Sequence, residues 1–381
     1  MRVLVLAGTR PEFVKMAPVI GAMVDAGHEP LVVVTGQHTD PAMADEILAD
    51  LGVGADQRWT LPTGSESERL GALLANSIET IGAANVDAVT ALGDTWTVPL
   101  AAMAARRFGL PFLHMEAGLR SFNERSVEEG NRRMAGQLAS LHFAPTERNR
   151  DFLIAEGIDA ERIVVVGNPV TDALRIHGAP RVEVDARHGA LVTAHRATNV
   201  DDPKRLAQLV SIILETADLA GHVLFPVHPR TEQRLASFGL RGPLEAHRSI
   251  DLVEPLSYED LLTALAASRL VVTDSGGLQE EAAWYGVPSV VMRHSTPRWE
   301  GIELDISAVV GVDPVAARRA MERFLEPDAQ RRIATVDCPY GDGHAGRRIA
   351  EALHDPALVA AMAPKEPSFA GGRLPYDRAA R

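Results

Sequence analysis

Short apolar runs recur along the chain, each followed by a more polar segment of helix length. The runs read VLVLA (3–7), PLVVVT (30–35), VDAVTAL (86–92), PFLHM (111–115), RIVVVG (162–167), GALVTA (189–194), HVLFPV (222–227), RLVVT (269–273) and PSVVM (288–292), and segments at 67–84, 97–108, 128–140, 202–217 and 257–267 lie between them. A strand that is apolar on both faces must be covered on both, and strands that alternate with helices are joined by crossovers. The pattern therefore predicts an α/β architecture on parallel sheets. The alternation pauses once, at 167–189, where turn residues and charges replace the period. An interdomain connection there gives two doubly wound parallel-sheet domains facing across a cleft, expected over 1–168 and 169–350, with 351–381 as a C-terminal segment. In such sheets ligands bind outside the carboxyl ends of the strands.

A chain of 381 residues is long enough for two cores. With 46% apolar and 23% charged residues it reads as a soluble globular protein, and no apolar run approaches the length of a membrane span. Met1 leads straight into the first strand without a signal-peptide pattern, so the expected location is the cytoplasm. The single cysteine, Cys338, rules out an internal disulfide and a cysteine-based zinc cluster. A net charge of −13 argues against nucleic-acid and anionic-membrane partners, but a small anion can still be held by local amides and arginines. Only three lysines occur, and one of them, Lys15, falls just after the first strand.

The strand ends carry the candidate chemistry. In the first half they read GTRPEFVK (Arg10, Lys15), GQHTD, GDT (Asp94) and EAGLRS (Glu116, Arg120); in the second, HR (His195, Arg196), HPR (His228, Arg230), DSGG (274–277) and RHSTPR (Arg293, Arg298). Asp-Ser-Gly-Gly at the mouth of a helix offers free amides and the positive end of a helix dipole to a phosphate. Ser275 as a simple cap with glycines serving a turn fits that stretch equally well. Asp94 could likewise cap the following helix, Glu116 could pair with Arg120, and His228 could be a turn histidine. Polar or glycine features at successive strand ends nevertheless suit a substrate cleft better than capping alone. No G-x-G-x-x-G, G-x-x-x-x-G-K-[ST], H-E-x-x-H or G-x-S-x-G pattern is present, which leaves a phosphate-bearing ligand and acid–base carboxylates.

Taken together and in order, GTRPEFVKMAPV, GQH, GDT, HMEAGLRS, EEGNR, GNPVTDAL, HRATN, VHP, TDSGGLQEEA and MRHSTPR resemble the non-hydrolysing UDP-N-acetylglucosamine 2-epimerases. The resemblance implies two facing Rossmann-like domains of the GT-B kind, a homodimer, a C-terminal helix crossing back onto the first domain, a UDP-sugar substrate, and neither cofactor nor metal. It implies elimination of UDP to a 2-acetamidoglucal, then re-addition with C2 inverted. The C2 proton is not next to a carbonyl and becomes removable only as the C1–O bond breaks, so leaving-group stabilisation and paired carboxylates are what the reaction needs.

By motif, Asp94, Glu116 and Glu128 would be the acid–base carboxylates, with His195 beside them. Arg10, Lys15, Arg132 and His228 would line the sugar–diphosphate region, and Ser275, Gly276 and Gly277 would hold phosphate. Glu281 would meet the ribose hydroxyls and Arg298 the diphosphate, while Glu280 reads as a helix-start residue. The chain departs from the family pattern around the substrate: Leu261 stands where an aromatic is expected against uracil, HRRE becomes HRATN, HPN becomes HPR, and TERPE becomes TPRWE with Trp299. A hydrolysing 2-epimerase and a GT-B-like glycosyltransferase are the competing readings.

Overall fold

The computed structural model describes residues 1–37 and 52–364. The end of GQHTD and the tail from 365 lie outside the described residues. Thirteen strands form among those described: β1 (Arg2–Ala7), β2 (Glu29–Val34), β3 (Gln57–Arg58), β4 (Ala88–Leu92), β5 (Phe112–Met115), β6 (Leu141–Ala144), β7 (Ile163–Val165), β8 (Ala190–Thr193), β9 (Val223–Pro226), β10 (Ile250–Val253), β11 (Leu270–Thr273), β12 (Ser289–Val291) and β13 (Ser307–Val309). They make two sheets, ordered β3-β2-β1-β4-β5-β6-β7 and β10-β9-β8-β11-β12-β13. Every pairing is parallel. This is the architecture that the unbroken apolar runs require.

Alternation within one run shows why both faces are covered. Val3 and Val5 of β1 join the cluster of Met16, Val19 and Ile349, whereas Leu4 and Leu6 join Leu73, Val98 and Ala101 on the opposite face. Each such side chain contributes about 1.5–3 kcal/mol on burial, so the sheet is committed to two helical layers. The four strands without an apolar run in the sequence are β3, β6, β10 and β13. Three are edge strands with little side-chain pattern, and β6 is broken as a run by His142, which is nonetheless fully buried.

Strand order reverses beside β1 and again beside β8, and a crevice opens at each such switch point. The loops following β1 and β4 flank the first, and those following β8 and β11 flank the second. Between the sheets, where turns were expected, the helix Pro169–His177 packs on both the helix Arg10–Asp25 and the helix Gly277–Tyr285. The return onto the first sheet starts ahead of residue 351. Asp172 accepts hydrogen bonds from the amides of Ala345 and Gly346, both at 2.9 Å, at the start of the helix Ala345–Ala352. Ile349, Ala352 and Leu353 then complete the first domain's core. Cys338 is half-buried, and burial pushes its thiol up to about 12, which leaves it a poor nucleophile.

Candidate active site

Thr9, Arg10, Pro11 and Glu12 start the helix Arg10–Asp25 at the first switch point. Pro11 suits a first-turn position, and Glu12 closes a capping box, its carboxylate accepting from the amides of Thr9 at 2.9 Å and Gly8 at 2.7 Å. The other oxygen accepts from the Thr95 hydroxyl at 2.7 Å. Burial outweighs these hydrogen bonds and pushes the Glu12 carboxyl up to about 7. One turn on, the buried Lys15 ammonium meets Glu116 at 2.5 Å and Glu280 at 3.3 Å. Burial opposes its charge, but the two carboxylates prevail and hold Lys15 above its ordinary value.

Glu116 follows β5 with φ 58°, a left-handed conformation that costs a non-glycine residue energy and that here presents a carboxylate to the cleft. Burial would raise its pKa, yet Lys15 and Arg298 hold the carboxyl below its usual range. Asn168 adds a 2.6 Å hydrogen bond to the same oxygen that Lys15 meets. Asp94 follows Gly93, whose φ of 82° makes the turn; a Cβ there would come within 3.3 Å of Glu116. Arg132 grips one Asp94 oxygen through Nε and Nη2, at 2.9 and 2.7 Å. Its Nη1 is taken by Glu129 at 2.7 Å, and Glu129 is in turn held by Ser121, so the guanidinium has one orientation. Glu128 lines the same space and accepts from Ser126; burial works against its charge, but that hydrogen bond, with Arg196 and Arg132, leaves it below its ordinary range.

The second half contributes cations and open amides. Fully buried Asp274 accepts from the amides of His195 and Arg196 and from Asn199, fixing the loop after β8, and its carboxylate stands 3.2 Å from the His195 ring. The first-turn amides of the helix Gly277–Tyr285 have no intrahelical acceptor, and of these the Leu278 amide donates to Ser275 Oγ at 3.4 Å, so Ser275 serves as a cap as well as lining the cavity. Arg293 and Arg298 approach from the loop after β12. Burial and the neighbouring Arg196, Arg298 and Arg132 push Arg293 down to about 9, a crowd of like charges that an anionic ligand would relieve. Tyr258 donates a 2.8 Å hydrogen bond to Glu281, whose carboxyl burial pushes up to about 6, and Leu256 and Leu261 extend an apolar wall beside them.

These groups line one cavity of about 500 Å³ between the two sheets, and each of the thirteen candidate residues named from the sequence is on its wall. Several expectations are corrected. Glu280 is no mere helix-start residue: it is fully buried and bound to Lys15, Arg298 and Asn168. Glu116 does not pair with Arg120, which instead binds Glu156. Asp94 is engaged by Arg132 and does not cap the helix Thr97–Arg107. His228 does serve its turn, accepting from the Arg230 amide at 3.2 Å, and lines the cavity as well. Glu12, marked by the capping-box spacing T-x-x-E, Glu129, three residues before Arg132, and Asp274, whose partners lie 75 or more residues away, shape the site without being among those candidates.

Comparison with known proteins decides the family: a family model described as UDP-N-acetylglucosamine 2-epimerase matches residues 23–354. The chain belongs to the UDP-N-acetylglucosamine 2-epimerase family. Epimerase-family relatives include the UDP-N-acetylglucosamine 2-epimerase of Methanocaldococcus jannaschii, 32% identical over 93% of this chain and 99% of that protein. The UDP-2,3-diacetamido-2,3-dideoxy-D-glucuronate 2-epimerase of Pseudomonas aeruginosa is 33% identical, again over 93% and 99%. The crystal structure of the M. jannaschii enzyme in complex with UDP-GlcNAc and UDP superposes with a TM-score of 0.83 at 32% identity, covering 93% of this chain and 99% of that one. Acinetobacter baumannii MurG, at 15% identity and a TM-score of 0.56, shares only the two-domain GT-B-like fold. Among the described residues of this epimerase-family chain no helix is long and apolar enough to cross a membrane.

Proposed function

We propose that the protein interconverts UDP-N-acetylglucosamine and UDP-N-acetylmannosamine by eliminating UDP across C1–C2 and adding it back with C2 inverted. The observation that carries the reading is one cavity in which Asp94, Glu116 and Glu128 of the first domain face the Ser275–Gly277 turn, Arg293 and Arg298 of the second. In the first step the C1–O and C2–H bonds break; the diphosphate leaves with the electron pair, a carboxylate takes the proton, and a C1–C2 double bond forms. Cations and helix amides aimed at the diphosphate stabilise the developing charge. A carboxylic acid then returns a proton to the other face of C2, and UDP re-adds at C1. Asp94 on Arg132 and Glu116 on Lys15 are two separately paired carboxylates, which is what a divided acid–base role needs.

Tyr258 and Glu281 suit the nucleoside end, with Glu281 on the ribose hydroxyls and Leu261 supplying an apolar surface for the base. The protein acts as a cytoplasmic homodimer in this reading. Ile78, Met103, Phe108 and Met134, each at least 40% exposed, lie on or just after three helices packed side by side and offer an apolar face for a second copy. Sedimentation of a Met103→Glu variant as monomer, against a dimeric parent, checks that face.

Incubation with UDP-N-acetylglucosamine in deuterated water should give the C2 epimer carrying deuterium at C2. Recovery of unlabelled, unepimerised sugar refutes the proposal. Free UDP accumulating in step with free sugar identifies hydrolysis instead, and transfer to an added alcohol without C2 exchange identifies a glycosyltransferase.

A further inference from the structure

Glu280 is a carboxylate of this region that does not line the cavity and that links groups of both domains. It lies in the first turn of the helix Gly277–Tyr285 with no accessible surface, yet it touches three groups that do reach the cavity wall or its chemistry. Its Oε2 meets Lys15 Nζ at 3.3 Å, and its Oε1 accepts from Asn168 Nδ2 at 2.9 Å and from Arg298 Nε at 3.0 Å. Lys15 and Asn168 are also the groups bound to Glu116 Oε1, at 2.5 and 2.6 Å. Glu116 and Glu280 therefore share one ammonium and one amide, with one carboxylate from each sheet. The other edge of Arg298 faces the diphosphate turn: its Nη1 lies 3.1 Å from where a Cβ would stand on Gly276.

We propose that Glu280 is a positioning residue for the acid–base step. From behind the wall it holds Lys15 and Asn168 on Glu116 and turns Arg298 toward the diphosphate, so that the leaving-group grip of one domain and proton transfer in the other run through a single carboxylate. The inference rests on the epimerase reading, which C2 exchange by the unaltered protein tests separately.

The charge balance gives the expected effect a sign. Glu116 is faced by Lys15 from the helix Arg10–Asp25, by Arg298 from the second domain, by Asn168 from the connection and by His114, itself beside Asp94, from its own sheet, while Glu280 competes with it for Lys15 and Asn168. In Glu280→Gln the two cations lose the carboxylate that competes with Glu116 for them. The Glu116 carboxyl then becomes more acidic and a weaker base, while the glutamine oxygen still accepts from Arg298 Nε and keeps that side chain turned toward the diphosphate.

The experiment is a kcat and KM profile against pH for Glu280→Gln and Glu280→Asp, with UDP affinity measured by calorimetry. The expected result for Glu280→Gln is a kcat lower by about tenfold or more, an acid limb moved to lower pH, and UDP affinity within about threefold of the parent. Glu280→Asp keeps the charge and should keep the limb in place. A kcat within about twofold of the parent with an unmoved limb overturns the proposal. So does a parallel loss of kcat and UDP affinity with the limb unmoved, the mark of a merely structural role. If Glu280→Gln does not fold, Glu280→Asp decides alone: an acid limb displaced from the parent's overturns the proposal, and an unmoved limb with reduced kcat and unaltered UDP affinity supports it.

Discussion

Glu12 offers a test in which the sign and size of the effect both follow from its surroundings. Its carboxyl is buried, accepts from two backbone amides and one hydroxyl, and ionises at about 7 against 4.5 for an unperturbed glutamate. Between those values the unfolded chain releases this proton and the folded chain keeps it, so raising the pH favours unfolding. The contribution is fully present below pH 4.5 and is lost as pH rises through about 7. A difference of about 2.5 units corresponds to about 3 kcal/mol across that window. Glutamine is the natural probe because it mimics the protonated acid: its oxygen can accept from Gly8 and Thr9 while its amide donates to Thr95. Urea unfolding of the parent and Glu12→Gln proteins at half-unit intervals from pH 4.5 to 8 should show the parent losing about 3 kcal/mol relative to the variant. All other titrating groups are common to both proteins and cancel in the comparison. A difference that stays constant within about 0.5 kcal/mol over that range would refute the assignment of a raised carboxyl to Glu12.

Asp94→Asn should lower C2 exchange by about 10²–10⁴-fold while UDP affinity stays within about tenfold, because its predicted role is proton transfer and not anchoring; equal losses in both would contradict it. Gly276→Ala should show the reverse. Its φ of −75° tolerates alanine, but the new methyl would stand 3.1 Å from Arg298, so UDP affinity should drop while the unfolding midpoint is unchanged. UDP affinity should also weaken as pH falls below about 6, where Glu281 takes up its proton and loses an acceptor site; Glu281→Gln should bind weakly at every pH and show no such step in a binding titration.

Several features were legible from the chain alone because they are one-dimensional. Two-sided apolar runs alternating with helix-length segments are sufficient for a parallel sheet covered by helices, and polar residues at the ends of such runs fall by construction on one rim of the sheet. That is why Asp94, Glu116, His195 and Ser275–Gly277 could be named without coordinates and are found on one cavity wall. T-x-x-E marks its own cap within four residues. Edge strands such as β3 and β13 left no trace because they pair on only one side and need little apolar surface.

What only the tertiary structure decided is which charges meet. Lys15 and Glu280 are 265 residues apart, and Asp94 and Arg132 are 38 apart, so no spacing rule could pair them. Glu280 and Glu281 are neighbours with nearly identical local sequence, yet successive helical side chains point about 100° apart. One therefore faces the cavity and Tyr258, and the other is driven between the two domains. Local sequence determines where strands end and which residues stand there. The burial that moves Glu12 upward, and the facing cations that hold Glu116 down, come into being only when the two sheets close on each other.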